Sequence, residues 1–151
     1  MDGSIQLGTY VAVKYIAYTA WCTLGVWWLK PADKSALRAG LGFGFIRLFI
    51  GIAAGIGIFL VGGMAHLQAW PNILLQYFVV YAPVRWFEWG IMELLMARRD
   101  RNTAVVFVVG GDGRSRLWRF GGILVSHLAD IPMITMGSGV HEMLPVGRFL
   151  C

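Results

Sequence analysis

Charged residues are scarce in this chain, and their scarcity excludes an ordinary water-soluble domain. Of the 151 residues, 14% are charged and 58% are apolar, whereas soluble domains carry about a quarter charged residues. The apolar residues also occur in long blocks, as a bilayer core roughly 30 Å thick requires of a helix that crosses it. The composition therefore predicts an integral membrane protein.

Motifs that specify a reaction are also missing from the sequence. The two cysteines, Cys22 and Cys151, belong to no CxxC spacing, and the histidines His66, His127 and His141 form no HxxxH or HExxH pattern. We therefore predict no disulfide framework, no metal site and no catalytic activity of the chain's own. A single histidine can still ligate haem or a pigment, so the sequence leaves the cofactor unknown.

Three long apolar blocks predict transmembrane helices at about residues 10–29, 39–65 and 72–97. The remainder, 102–151, differs in kind: a short β-branched run at 104–109, a Gly-Gly-Asp-Gly turn signal, and polar/apolar alternation at 114–120. This pattern indicates a β-hairpin, while 121–136 fits either an interfacial helix or a further strand. The predicted fold class is thus membrane all-α with a small β appendage: three transmembrane helices within 1–101, then a cytoplasmic β-hairpin and extended tail.

The basic residues lie mainly beside the predicted spans, which orients the chain. One group follows the first span and another follows the third, whereas the connection after the second span contains no Lys or Arg. By the positive-inside rule, the N-terminus should lie outside the cell membrane and the C-terminus in the cytoplasm. The same placement favours contact with anionic lipid over a nucleic-acid partner, despite the net charge of +5. The predicted lipid contacts are Lys30, Lys34, Arg38, Arg98, Arg99 and Arg101.

Ionisable residues inside the predicted spans form a candidate functional cluster. Such residues cost a few kcal/mol each in a bilayer and usually pair with one another. Arg47 and Glu88 both lie roughly 12–13 Å from the cytoplasmic ends of their spans, and Arg85 precedes Glu88 by three residues on one helix face. We predict an Arg47–Glu88–Arg85 lock between the spans, with a proton or ion path as the alternative. Glu93 is closer to the cytoplasm and is expected to meet Arg98 or Lys30.

The glycine-rich second span supplies a packing surface. Gly44, Gly51 and Gly55 lie on nearly one helix face, and glycine lets two helix backbones approach closely in lipid. This face should contact either the other spans of the same chain or a partner subunit. A further candidate site for anions is formed by Gly111, Gly113, Arg114 and Arg116, although a hairpin turn is the favoured interpretation of this segment.

Together these features favour a small, non-enzymatic membrane subunit. It would pack against and stabilise a larger membrane protein complex through its second helix and its C-terminal appendage. The alternative is a homo-oligomeric channel or transporter, in which the Arg/Glu cluster lines a path for ions. Other membrane protein subunits are the expected partners in the first case, and further copies of this chain in the second.

Overall fold

The computed structural model describes residues 3–29, 35–64, 81–97 and 103–136, and this part of the chain is helical. Within it there is no β-strand, so the predicted β appendage is wrong. The helices, in chain order, are α1 (Gly3–Leu29), α2 (Ala36–Met64), α3 (Ala82–Ala97), α4 (Thr103–Val109) and α5 (Gly113–Met136).

The predicted hairpin is a helix–turn–helix, because its glycines and aspartate cap helices. Gly110 has a φ of 86°, and its N–H donates to the carbonyl of Val106 at 3.0 Å, which is how a glycine commonly ends a helix. The Asp112 carboxylate then accepts from the N–H of Ser115 at 2.9 Å, as an N-cap does. The β-branched preference of 104–109 is a weak prior. Packing of α4 against α3 and hydrogen bonds from Arg119 of α5 to the α4 carbonyls override it.

The prediction of three spans is also not supported. Among the described residues, one segment is both long and apolar enough to cross a bilayer: Ala36–Ile58, within α2. This supports association with a membrane. With 27 and 24 residues, α1 and α5 have sufficient length, but polar and aromatic side chains lower their hydropathy. The described part of the third block, α3, has 16 residues, and residues 72–80 lie outside the described part.

The long helices run alternately up and down. Gly40 of α2 approaches Thr23 of α1, and Gly44 approaches Thr19. Residues later in α2 thus contact residues earlier in α1, so the two helices are antiparallel. The short connection between them is typical of such pairs in helical bundles.

Helix α5 lies along the other side of α1, again antiparallel. Near the start of α1, Tyr10 donates to Asp130, whereas further along Trp21 donates to the carbonyl of Trp118 at 3.1 Å. The beginning of α1 and the end of α5 therefore lie at the same end of the bundle. This arrangement gives no support to termini on opposite sides of a membrane; residues 137–151 are outside the described part.

Three aromatic side chains fill the centre where α1, α3 and α5 meet. Trp89 of α3 packs edge-on against Tyr18 of α1, with ring centroids 6.0 Å apart, and against Trp118 of α5 at 5.1 Å. All three side chains are fully buried. Edge-to-face packing of this kind contributes beyond the area that it buries, so it fixes α3 between α1 and α5.

Polarity is inverted on α5, with polar groups inside and apolar groups outside. The buried residues of this helix include Ser115, Arg119, Ser126 and Asp130. Its most exposed large apolar side chains are Leu117, Phe120, Leu124 and Leu128, which are 57–64% exposed. Soluble helices place their apolar stripe toward the core, so α5 has the opposite arrangement.

Candidate functional site

The interior of the bundle contains ion pairs at three levels. The first is centred on Asp130 of α5, which binds two cations. Its Oδ1 lies 2.8 Å from the ammonium of Lys14 and accepts from the hydroxyl of Tyr10 at 2.7 Å. Its Oδ2 accepts from the guanidinium of Arg85. Because three donors from α1 and α3 converge on one carboxylate, this level joins those helices to α5.

The second level joins α2 to α3 through Arg47 and Glu88. Nη2 of Arg47 donates to Oε2 of Glu88 at 2.5 Å, and both side chains are almost fully buried. The guanidinium carbon also lies 4.8 Å from the ring centroid of Tyr18 and 5.0 Å from that of Trp89. Arg47 is therefore held by aromatic faces as well as by an anion, an arrangement that suits a planar guanidinium.

The third level joins α3, α4 and α5 at the opposite end of the core from Asp130. Nε of Arg119 donates to Oε2 of Glu93 at 2.6 Å, and its other nitrogens donate to the carbonyls of Val106 and Phe107. Arg119 thereby satisfies carbonyl groups of the short helix α4. This level is a well-satisfied structural junction.

In the second level, by contrast, several buried polar atoms lack a hydrogen-bond partner among the described residues. The hydroxyl of Tyr18, Nε and Nη1 of Arg47, and Oε1 of Glu88 have no hydrogen-bond partner among the described residues. Buried polar groups in folded proteins are nearly always hydrogen-bonded, to protein or to another molecule. The second level therefore has capacity for a further partner.

The predicted glycine face lies inside the chain and shares its helix face with Arg47. Gly44, Arg47, Gly51 and Gly55 are all buried and follow each other at helical spacing along α2. At Gly44, a Cβ would lie 2.9 Å from the backbone of Thr19. This close approach of α1 and α2 is within the chain, so it serves internal packing at Gly44 rather than contact with a partner.

The candidate anion site at the start of α5 already contacts a carboxylate of the same chain. The N–H of Gly111 donates to Oε1 of Glu93 at 3.2 Å, while Gly113, Arg114 and Arg116 are exposed. The structure thus gives this N–H an internal partner. Of the predicted lipid contacts, Arg38 is described and exposed; Lys30, Lys34, Arg98, Arg99 and Arg101 lie outside the described residues.

An apolar groove opens between α2 and α3 beside the second level. It has a volume of about 390 Å³, and its walls include Ile50, Ala54, Val84 and Phe87. Glu88, which pairs with Arg47, is also among the lining residues. The groove is therefore an apolar surface feature that borders the second level.

The structure brings together some predicted site residues and adds others. Arg47 contacts Glu88, as their equal depth had indicated, whereas Arg85 donates to Asp130 and Glu93 accepts from Arg119. The predicted partners of Glu93, Arg98 and Lys30, lie outside the described residues. Sequence reasoning missed Lys14, Tyr18, Arg119 and Asp130 as members of the network. The residues of α1 could have been recognised from their spacing, because Tyr10, Lys14, Tyr18 and Cys22 recur every four residues and so lie on one helix face.

No protein-family model, no curated protein sequence and no solved structure matches this chain.

Proposed function

We propose that this chain is a multi-pass helical bundle embedded in a membrane, which moves a proton or a small ion through its polar interior. The observation that carries the proposal is the incompletely paired second level, where Tyr18, Arg47 and Glu88 are buried with unmatched polar atoms. Ionisable residues at membrane depth commonly mark such pathways.

Immersion of several helices is supported by the inverted polarity of the bundle. Helix α2 is the only described helix that is long and apolar enough to cross by composition. Several polar residues that lower the hydropathy of α1 and α5, such as Lys14 and Asp130, are buried, and the exposed arginines of α5, Arg114 and Arg116, lie in its first turn. A helix whose charges face protein and whose exposed face is apolar suits lipid. We therefore propose that α1 and α5 cross the membrane beside α2.

We propose an orientation from the charges next to the ends of the antiparallel helices. The end of α1, the start of α2, the end of α3 and the start of α5 lie at the same end of the bundle, because α1 and α3 run in one direction and α2 and α5 in the other. The sequence of both connecting segments is basic, with Lys30 and Lys34 in one and Arg98, Arg99 and Arg101 in the other. By the positive-inside rule, this end is cytoplasmic. The start of α1 and the end of α5 then lie outside.

A purely structural lock is the weaker explanation of the second level. A buried ion pair is costly to desolvate, and it is tolerated when further hydrogen bonds satisfy its remaining donors and acceptors. The Arg119–Glu93 junction meets that condition through the carbonyls of α4. The Arg47–Glu88 pair does not meet it among the described residues, which supports a site that accepts a mobile partner. The apolar groove between α2 and α3 borders Glu88.

The test is an ion-flux assay on the full chain reconstituted into liposomes. Vesicles loaded with a pH-sensitive or chloride-sensitive dye report flux under an imposed potential. We expect flux above that of empty vesicles, and we expect Arg47→Gln to abolish it. Arg114→Gln removes the same charge from an exposed position and should leave flux unchanged. Well-folded parent protein without flux of protons, chloride or alkali cations would refute transport.

A second candidate function, a membrane subunit without flux of its own, is favoured by the outer face of α2. Leu41, Phe45, Phe49 and Ile56 are exposed on this helix, whereas the glycine face points inward. Such a face would lie against lipid or against a partner chain. Purification in a mild detergent, with the mass of the complex measured, separates the two candidates. A fixed ratio to another membrane protein favours a subunit, and the chain alone with measurable flux favours transport.

A further inference from the structure

Helix α4 is too short to cross a membrane, yet its outer face is apolar. Its seven residues, Thr103–Val109, extend about 10 Å at 1.5 Å per residue, and none of them is charged. Val105, Val108 and Val109 are 48–55% exposed; these three residues form the valine face. Exposure of apolar surface to water is unfavourable, so the valine face suits an apolar surrounding.

Helix α4 lies beside the middle of α3 rather than at its end. A Cβ on Gly90 would lie 3.2 Å from the carbonyl oxygen of Phe107, and the indole of Trp86 donates to the carbonyl of Val108. Gly90 precedes Ala97, where α3 ends, by about 10 Å of helix rise. The second half of α4 is therefore set back by that distance from the end of α3.

The carbonyl groups at the end of α4 are hydrogen-bonded to side chains of neighbouring helices. The last four carbonyls of a helix have no partner within it and require another donor. Nη1 of Arg119 donates to the carbonyl of Phe107 at 2.9 Å, and Nη2 donates to that of Val106. Nε1 of Trp86 donates to the carbonyl of Val108 at 2.7 Å. Backbone polar groups at membrane depth must be satisfied within the protein, and these three carbonyls meet that requirement.

Trp86 also connects the valine face to the outer face of α5. Its ring packs against that of Phe120, with centroids 5.1 Å apart, while its N–H binds the carbonyl of Val108. Phe120 and Leu117 are exposed and belong to the face of α5 that is proposed above to contact lipid. The valine face therefore continues an apolar surface that begins on α5.

A cationic side chain lies at the C-terminal end of α4. Cγ of Arg116 would be 2.9 Å from a Cβ on Gly110, and the residue is exposed. Helical side chains lean toward the N-terminus of their helix, so Arg116 leans toward the beginning of α5, at the end of the bundle that is proposed to be cytoplasmic. A stem packed on protein with an exposed guanidinium is how arginine reaches the headgroup level from within a membrane.

From these contacts we infer that α4 is a re-entrant helix, which enters the cytoplasmic leaflet of the bilayer without crossing it. The valine face contacts the acyl chains, and the guanidinium of Arg116 binds the phosphate of an anionic phospholipid. Anionic lipids give the cytoplasmic leaflet its negative surface potential, so its charge complements that of Arg116. The inference rests on the proposed immersion and orientation of the bundle, and it does not depend on transport.

The depth of α4 is tested on the full chain in vesicles of phosphatidylcholine and phosphatidylserine, with a fluorophore on one introduced cysteine. Cys151→Ser removes one native thiol, and the other, Cys22, is buried. We expect a label at Val108→Cys to be quenched by lipids that are spin-labelled on their acyl chains and protected from aqueous iodide. A label at Gly113→Cys, an exposed position where a Cβ meets nothing within 4 Å, should be quenched by iodide.

A label at Leu124→Cys, an exposed position of α5, separates this inference from the proposed immersion. If the Leu124 label is quenched from lipid and the Val108 label from water, the re-entrant helix is overturned while immersion of α5 stands. If iodide quenches both labels, the immersion of α5 fails together with the inference. Val105→Cys, also on the valine face, should repeat the result of Val108→Cys. Flux is measured separately, so its absence leaves this test unaffected.

Two arginines in the first turn of α5 provide a matched pair for the phosphate contact. The preference for phosphatidylserine over phosphatidylcholine is measured by quenching the Val108 label with spin-labelled chains of each lipid. Arg116→Gln should lower this preference about fivefold. Arg114→Gln removes the same charge, but residues two apart do not share a helix face, so its effect should be smaller. An unchanged preference in Arg116→Gln, or equal losses in both variants, would overturn a phosphate site at Arg116.

Discussion

Removal of Arg47 or Glu88 tests the energetics of the interior most directly. Their closest atoms lie 2.5 Å apart, and both side chains are almost fully buried. Replacing either with leucine leaves a buried charge without its main partner, which costs about 3–5 kcal/mol of folding free energy. Replacing both with leucine should recover most of that loss, because a buried pair is often no more stabilising than apolar side chains of similar volume.

The net charge of the buried residues also predicts which single variant loses more folding free energy. Among the described residues of the first two levels, Glu88→Leu leaves three buried cations and one buried carboxylate, whereas Arg47→Leu leaves two of each. We therefore expect Glu88→Leu near the upper limit of about 5 kcal/mol and Arg47→Leu near the lower limit of about 3 kcal/mol. The exposed control Arg114→Leu should change stability by less than about 0.5 kcal/mol.

The assay is reversible unfolding of the full chain in mixed micelles, followed by circular dichroism. A double-mutant cycle then gives the coupling energy of the pair. A double variant whose loss equals the sum of the two single losses would show that the residues do not act as partners. If Arg47→Leu proved more destabilising than Glu88→Leu, the net charge of the buried residues would not determine the relative stability of the two variants.

Three further predictions concern packing, capping and immersion. Gly44→Leu should destabilise the protein because its Cβ would meet the backbone of α1; Gly42→Leu, where nothing lies within 4 Å, is the control in the same unfolding assay. Gly110→Ala, at a φ of 86°, should cost about 1 kcal/mol by thermal unfolding. Leu124→Arg, at an exposed position of α5, should cost about 2.5–3.5 kcal/mol in a membrane-insertion assay. A neutral result for Leu124→Arg would place that face of α5 in water.

The sequence contains enough information to relate Arg47 to Glu88, but not to identify the other partners. The depth of a residue along its helix can be calculated from the sequence alone, because each residue adds a fixed rise of about 1.5 Å. Arg47 and Glu88 could therefore be placed at equal depth. The partner of Arg85 is Asp130 on α5, 45 residues further along the chain. That pairing depends on which helices are neighbours in the bundle, which no local pattern specifies.

The error in residues 104–120 has a local physical cause. Glycine with positive φ and aspartate both suit tight hairpin turns, and both also suit the end of one helix and the beginning of the next. The β-branched residues before the turn favoured a strand, yet α4 is a helix of seven residues. Its carbonyls at Val106 and Phe107 accept from Arg119, so a contact with another helix decides the conformation.

The glycine pattern was ambiguous for a different reason. Gly44, Gly51 and Gly55 predict a close helix contact wherever they occur, but they do not say which helix makes it. Their buried positions now point to the interior of the chain, and the same helix face carries Arg47. Glycines on this face leave space for the long side chain of Arg47. The three glycines and the buried guanidinium therefore form one continuous face of α2.

The spacing of polar residues on α1 and α5 shows why hydropathy alone undercounts helices in this bundle. Lys14 and Tyr18 recur at helical spacing on α1, as do Arg119, Ser126 and Asp130 on α5, and all five are buried. A window average treats these residues as evidence against a membrane, although their burial removes them from lipid. Their spacing instead marks the face on which one helix meets another. A polar stripe on an otherwise apolar helix is therefore informative about the interior of such a protein, and in this chain it leads directly to the incompletely paired second level.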